Sequence, residues 1–424
     1  MANFETPKGM KDFGGEDAIY RERMLESIKQ VYKKWGYEPL STPAIENVKT
    51  LCAKSGDEIA GQLFRIEKSE LALRFDQTVG LARYVAGANM AKPYKRYIIA
   101  NAWRREEPQK GRMREFLQAD ADIVGSADMR CEAELLAMSC EALQTLGFGE
   151  FEILLNNRKI LNGIIKSLKI ENAENAILRA LDKLGKIGIE GVKKEIEACK
   201  VKRADIEQLL QVLMPGKKEN EKALELAKKY SQEGAGELEN ILCILKYAYG
   251  IENVKVDLSL VRGLGYYTGP IFEISAGGGI GSVAGGGRYD ELAGVYGKKE
   301  PAVGISLGVE RLFALKKGKG EKISPCDVMI ITFDDKSYGG AVRAAKRIRE
   351  AGFSCRTDLM GRKVKNQLEY ANACKIPFAL IIGEKEMKSG KFALKDLKSG
   401  KQKEIGIEEV LENLEEAREI REGL

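Results

Sequence analysis

The sequence predicts a multidomain protein of mixed α/β and α+β class, and three observations carry the prediction. The chain has 424 residues, more than one hydrophobic core usually serves. Residues of about 160 to 248 are rich in Ala, Leu, Lys and Glu, as in AILRALDKL and KALELAKKY, and read as a helical insertion. The last hundred residues alternate strand-like and helix-like runs: DVMIITF, GGAVRAAKRIREAG, SCRTDL, KVKNQLEYANAC and FALIIG. That alternation predicts an α/β unit with a mainly parallel sheet.

The remaining elements follow in order. In EDAIYRERMLESIKQVYKKW, Met24, Ile28, Val31, Tyr32 and Trp35 recur at helical spacing and make one apolar face. GYEPLSTP stops that helix and starts extended chain. KPYKRYIIANAWRRE and REFLQADADIVG read as two strands joined by the polar turn EEPQKGR. DMRCEAELLAMSCEALQTLGFG is a helix ending at glycine. After the helical stretch, strand and glycine texture returns from Val254 to Leu315, and the basic linker KKGKGEKISP leads into the alternating tail. There is no internal repeat.

Composition excludes several chemistries. The chain contains no histidine, so Ser-His-Asp and Cys-His mechanisms and His-ligated metals are ruled out. Acid–base and electrostatic work falls to Arg, Lys, Asp, Glu, Tyr or the substrate. The eight cysteines form no CxxC pair, a pattern of reduced cytoplasmic thiols rather than disulfides or zinc. No apolar run approaches the ~20 residues of a membrane helix, and the start, MANFETPKGMKDF, has no leader pattern. The net charge of +6 permits a polyanionic partner without demanding one.

The candidate residues gather in short motifs. AWRREEP places Arg104 and Glu106 two apart on a strand, and GRMREF adds Arg112, Arg114 and Phe116. Across a hairpin these would clamp a phosphate and stack a base. Taken alone, such a charge run reads first as a solvated ion-pair lattice. In SLGVERLFAL, Arg311 sits in an apolar stretch and needs an anion, from the protein or from a ligand. LRFDQT sets Asp76 and Thr78 on one face around Gln77, and QADADIVG places Asp122 four residues beyond Gln118. VRGLGYYTG concentrates Arg262, Tyr266, Tyr267 and glycines, which allow backbone to approach a ligand closely.

In this order, LRFDQT, AWRREEPQKGRMREF, LVRGLGYYTG, AGGGRYDEL and VGISLGVERL resemble the histidyl-tRNA synthetase family of class II aminoacyl-tRNA synthetases, and most closely its archaeal and eukaryotic branch. The resemblance covers nearly the whole chain. It implies a class II catalytic core, an antiparallel sheet flanked by helices, over residues 1–160 and 249–320. A helical insertion would span 161–248 and an α/β anticodon-binding domain 325–424. By resemblance, Arg104 binds the α-phosphate of ATP, Glu106 contacts the adenine side or orders the loop, Arg112 reaches the outer phosphates and Phe116 stacks on adenine. Arg311 covers the opposite side of the triphosphate. Asp76 and Thr78 take the substrate α-ammonium with Gln77 between them. Gln118 and Asp122 hydrogen-bond the substrate, Asp122 favouring an imidazole N–H. Arg262 approaches the α-phosphate and the substrate carboxylate, and Tyr266, Tyr267 and Tyr289 line the pocket. Gly265 departs from the family's usual Asp. Gln109, Lys110 and Arg114 would meet the acceptor end of the tRNA.

The implied reaction suits a histidine-free chain. The carboxylate of histidine attacks the α-phosphate of ATP with Mg²⁺ present, and the terminal ribose hydroxyl of histidine tRNA then attacks the adenylate. A carboxylate is already a nucleophile, so alignment and charge neutralisation are what the protein supplies. The resemblance also implies a cytoplasmic homodimer. Its first helix would expose Tyr32 and Trp35 near Pro43, where class II enzymes place their dimer-forming motif. In the tail, Lys363, Lys365, Gln367, Arg343, Lys346, Arg347 and Arg349 would face the anticodon. Two alternatives use the same motifs, a histidine-binding regulatory paralogue and a non-catalytic sensor of uncharged tRNA. The tail and Arg262 argue against the first, and the chain length against the second.

Overall fold

The computed structural model describes residues 4–54, 56–109, 111–214, 219–262, 265–277, 279, 281–316 and 324–422. The chain forms two compact units, residues 1–12 with 23–317 and residues 13–22 with 318–424.

The first unit is built on β1 (Glu38–Pro39), β2 (Ile45–Asn47), β3 (Leu71–Leu73), β4 (Tyr94–Trp103), β5 (Glu115–Val124), β6 (Glu152–Asn157), β7 (Val254–Val256), β8 (Pro270–Ser275), β9 (Ser282–Arg288) and β10 (Ala302–Gly308). Eight of these make one sheet in the order β1-β4-β5-β10-β9-β8-β6-β7, while β2 and β3 form a separate ribbon. Neighbours in the large sheet are antiparallel except at its ends, where β1–β4 and β6–β7 are parallel. Alternating side chains give the sheet two faces. One is covered by helices, among them Arg130–Thr145, which buries eleven of its sixteen residues. The other carries the polar residues described below.

The helix Gly15–Lys34 buries Met24, Ile28, Val31 and Tyr32, the stripe its periodicity predicts. Tyr32 is therefore not exposed as expected. It is fully buried, and its hydroxyl donates to the carbonyl of Ala119 on β5 at 3.0 Å. Lying one turn beyond Ile28, it shares the face that must cover the sheet. Trp35 is half-buried, donating from its indole to Glu141 at 2.7 Å and packing its ring 5.8 Å from Tyr249.

Between β6 and β7 the described chain is helical from Arg158 to Tyr249, apart from short connections. The cap chemistry is local. Asn157 accepts from Lys159 N at the first helix and Ser231 from Gly234 N at the last, which ends at left-handed Gly250.

The second unit holds β11 (Val328–Thr332), β12 (Cys355–Thr357), β13 (Phe378–Ile382), β14 (Phe392–Asp396) and β15 (Gln402–Ile405), in the order β12-β11-β13-β14-β15. Only β12, β11 and β13 are parallel; β14 and β15 add an antiparallel hairpin that the mainly parallel expectation did not contain. Its turn is organised by Asp396, whose carboxylate accepts from the backbone of Lys398 and Ser399. Gln367 also departs from expectation. It is 2% exposed, and its amide ties Thr332, at the end of β11, to Arg362. Lys363, Lys365, Arg343, Lys346, Arg347 and Arg349 are exposed. No described helix is long and apolar enough to cross a membrane.

Candidate active site

Strand alternation builds the site. Phe116, Gln118, Asp120 and Asp122 point to one face of β5. Register carries that face across the sheet: Asp122 lies opposite Arg96 and Gly304, Asp120 opposite Ile98 and Ser306, and Gln118 opposite Ala100 and Gly308. It continues from Ser306 through Gly285 on β9 to Glu273 on β8.

One end is acidic. Asp122 is buried, pairs with buried Arg96 at 2.7 Å and receives a short hydrogen bond from the Tyr289 hydroxyl. Asp76, just before the helix Thr78–Gly87, accepts from Val79 N at 3.1 Å with one oxygen. Its other oxygen is buried without a hydrogen-bond partner, and so are Asp120 Oδ1 and Gln118 Oε1. Gln118 spends its Nε2 on Ser306 Oγ at 2.7 Å. Buried acceptors left unpaired are costly, so their convergence points to a ligand bearing N–H groups. Burial raises the pKa of Asp76, Asp120 and Asp122. Burial lifts that of Asp120 to about 7, with Asp122 and Asp76 adding repulsion and Arg96 and Ser306 opposing it.

Aromatic rings wall this end. Tyr266 lies 4.9 Å from Tyr267 and 5.9 Å from Tyr289, centroid to centroid. Burial holds the Tyr266 and Tyr289 phenols well above their ordinary range, so both remain neutral donors. Thr78 is half-buried and hydrogen-bonded to Tyr266. Gln77 is buried, with its amide turned to the carbonyls of Ala100 and Asn101 on β4.

The other end is basic. Arg104 donates to the carbonyl of Phe75 at 3.0 Å and lies 5.1 Å over the Phe116 ring. Arg112 pairs with Glu106, and Arg262 with Glu273 at 2.8 Å. Arg311 donates to the carbonyl of Ser282. Burial holds its pKa below the usual arginine range, and Arg112, Arg262 and Arg104 push the same way. Four arginines thus converge here, paired among the described residues with two carboxylates, which suits a polyanion such as a triphosphate.

Arg104, Glu106 and Arg114 are not on strands as expected, because β4 ends at Trp103 and β5 begins at Glu115. Pro108 has no N–H for the ladder, and Gly111, at φ 75°, turns the chain. Gln109 is exposed and shares two backbone hydrogen bonds with Arg112. Lys110 lies outside the described residues. Arg114 ties the loop down, its Nε donating to the carbonyl of Glu106 at 2.9 Å.

Close approach demands glycine at Gly285 and Gly304, where a Cβ would strike the Arg262 guanidinium and the Asp122 carboxylate respectively. Gly265 is different: a Cβ there meets nothing within 4 Å among the described residues.

Several site residues escaped the sequence reading. Asp120 was within reach, since QADAD at period two puts it in phase with Gln118 and Asp122. Arg96, Glu273 and Ser306 join only through cross-strand register. Arg288 precedes Tyr289 and is held by buried Glu132 through two bonds of 2.6 and 2.8 Å.

A family model for histidyl-tRNA synthetase matches residues 9–312, more than half of the chain. The chain belongs to the histidyl-tRNA synthetase family. A model for an anticodon binding domain matches residues 327–417. The histidine–tRNA ligase of Cytophaga hutchinsonii is 36% identical over 453 residues, covering 98% of this chain and all of that protein. That of Korarchaeum cryptofilum is 38% identical over 427 residues, covering 97% of this chain and 98% of that protein. The crystal structure of histidyl-tRNA synthetase from Nostoc sp. PCC 7120 superposes with a TM-score of 0.84 at 30% identity, covering 98% of this chain and all of that one. The synthetase fold and its C-terminal α/β domain are those expected from the motifs.

Proposed function

We propose that this protein activates histidine with ATP and transfers it to the 3′-terminal adenosine of histidine tRNA. The observation that carries the reading is the two-ended sheet face. Buried carboxylates with unpartnered oxygens suit an amino acid's N–H groups, and four arginines beside them suit a triphosphate. Asp76 and Thr78 take the α-ammonium, Asp122 and Gln118 the imidazole side, and Tyr266, Tyr267 and Tyr289 enclose it. Phe116 stacks on adenine, Arg104 and Arg262 meet the α-phosphate, and Arg112 and Arg311 hold the outer phosphates. The substrate carboxylate then attacks in line, and the arginines neutralise charge as pyrophosphate leaves. Mg²⁺ would enter with the nucleotide and neutralise phosphate charge, and one or two protein carboxylates would help to hold it. Glu106 and Glu273 are the carboxylates at this end. In the transfer step, Gln109, Lys110 and Arg114 would meet the acceptor end, while the exposed lysines and arginines of the second unit hold the anticodon backbone.

Residues 1–160 and 249–320 act as the catalytic core on this reading, 161–248 as a helical insertion and 325–424 as the anticodon-binding domain of a cytoplasmic enzyme. The decisive experiment is histidine-dependent ATP–pyrophosphate exchange. Exchange with histidine and with no other amino acid is the expected result. Its absence in folded protein would leave a histidine-binding regulator or a tRNA sensor as the better reading.

We also propose a homodimer. Buried Tyr32 does not contribute to the interface, but Ile45, Ile66 and Leu71, on and beside the β2–β3 ribbon, are 45%, 36% and 37% exposed next to exposed Pro43. An apolar face of this kind suits a self-complementary two-fold contact. Sedimentation at micromolar concentration is expected to give about 94 kDa, twice the 46.9 kDa chain. A monomer there refutes the assignment.

A further inference from the structure

The acidic end holds more carboxylate than the proposed roles use. Asp120 is 4% exposed and on the same face as Asp122, and no role above calls on it. Among the described residues, one ion pair, Arg96 with Asp122, serves the three buried carboxylates Asp76, Asp120 and Asp122. Arg74 lies within electrostatic reach of Asp120, but its guanidinium is spent on the carbonyls of Asn101 and Thr42. The remaining titratable groups around Asp120 are Tyr32 below the sheet and Tyr267 above it, both neutral phenols. Arg96 and Arg104 also act on Asp76; Asp120 has no ion-pair partner among the described residues and is left to meet a ligand's N–H.

Residues two apart on a strand share a face and lie about 6.6 Å from each other along the backbone, so the carboxylates of Asp120 and Asp122 can both reach one small ligand lying over the sheet, each through a hydrogen bond of about 2.9 Å. Asp122 gives one oxygen to Tyr289 and the other to Arg96, yet each carboxylate oxygen has two lone pairs, so it can still accept. Asp120 Oδ1 has no partner. Ser306, directly opposite Asp120 on β10, accepts from Gln118 at 2.7 Å and favours the charged form of Asp120. Two acceptors facing one imidazole require a donor on each ring nitrogen, and only the imidazolium has both.

We propose that Asp120 is a second imidazole-binding residue, so that Asp120 and Asp122 grip both ring nitrogens and histidine is held as the imidazolium. The inference rests on the function proposed above. It adds a specificity element: a five-membered ring with a single N–H, or an apolar isostere, leaves a buried carboxylate unpaired.

Proton accounting provides the test. With Asp120 titrating near 7 in the empty site and free imidazole near 6.5, both are mostly deprotonated at pH 8. Forming the imidazolium–carboxylate pair must then take up close to one proton. Titration calorimetry of histidine at pH 8, in two buffers of different ionisation enthalpy, measures that number. Asp120→Asn supplies the baseline, because proton changes at the α-amino group are common to both proteins. The wild type is expected to take up roughly one proton more than the variant. The variant's KM for histidine in exchange is expected to rise about tenfold or more at nearly unchanged kcat. Equal uptake by the two proteins overturns the proposal. If Asp120→Asn does not fold, uptake near zero in the wild type alone overturns it. Absence of histidine-dependent exchange in the wild type would instead remove the functional reading itself.

Discussion

Arg262→Ala is expected to lower histidine-dependent ATP–pyrophosphate exchange by about 10²-fold or more, the scale of losing one preorganised charge donor. The structure explains why the loss falls on the chemical step. Arg262 is not a mobile surface side chain. Glu273 holds it at 2.8 Å, and Gly285 leaves the space its guanidinium occupies. Its position is therefore set before substrate arrives, between the tyrosine-walled end and the arginine-rich end. Arg104, Arg112 and Arg311 remain to bind ATP, so KM for ATP is expected to change little while kcat falls. Arg262→Lys is expected to recover only part of the rate, because an ammonium lacks the planar fork. Steady-state exchange measures both parameters, and a loss below tenfold would mean that Arg262 has been given the wrong role.

Arg288→Met is expected to destabilise the first unit by about 3–5 kcal/mol, the cost of breaking a buried ion pair from one side. Glu132 is fully buried and Arg288 is 2% exposed. The guanidinium makes two bonds to Glu132, reaches Asp290 at 3.2 Å and donates to the carbonyl of Ser126 at 3.0 Å. Removing the arginine strands a carboxylate inside the protein. Removing both partners, as in Glu132→Leu with Arg288→Met, is expected to cost less than the arginine change alone, because no buried charge is left behind. Urea unfolding of the three proteins measures the difference. A single-variant cost within 1 kcal/mol of wild type would show that the pair is not what anchors β9. Exchange activity should fall in the single variant too, since Tyr289, the next residue, donates to Asp122.

Much of the candidate site was legible because the motifs are local. Arg104, Arg112, Phe116, Arg262 and Arg311 could be named from short stretches, and the structure brings all five to one end of one face. Asp76, Thr78, Gln118, Asp122 and the three tyrosines form the other end. The errors share one cause. Arg104 and Glu106 were placed on a strand because alternation continues past Trp103, yet pairing ends there. Tyr32 and Gln367 were read as surface residues from polarity and neighbours, whereas each is buried around a hydrogen bond to distant backbone, at Ala119 and Thr332. The β14–β15 hairpin escaped because its strands are short and its residues mostly charged.

Periodicity and motif order, both carried by covalent neighbours, determined the class of fold, the helical stretch, the alternating tail and the type of chemistry. The absence of histidine left acid–base and electrostatic work to arginine, lysine, carboxylate, tyrosine or the substrate itself. Tertiary structure decided which charges meet. Arg96 reaches Asp122 across β4 and β5, Glu273 reaches Arg262 from β8, and Glu132 reaches Arg288 across 156 residues. Such pairings depend on strand register, which is set by the summed burial of whole strands rather than by any local signal. The charge state of Asp120 belongs to the same category: it follows from burial beside Asp122 and Asp76, and neither burial nor proximity exists until the sheet has closed around it.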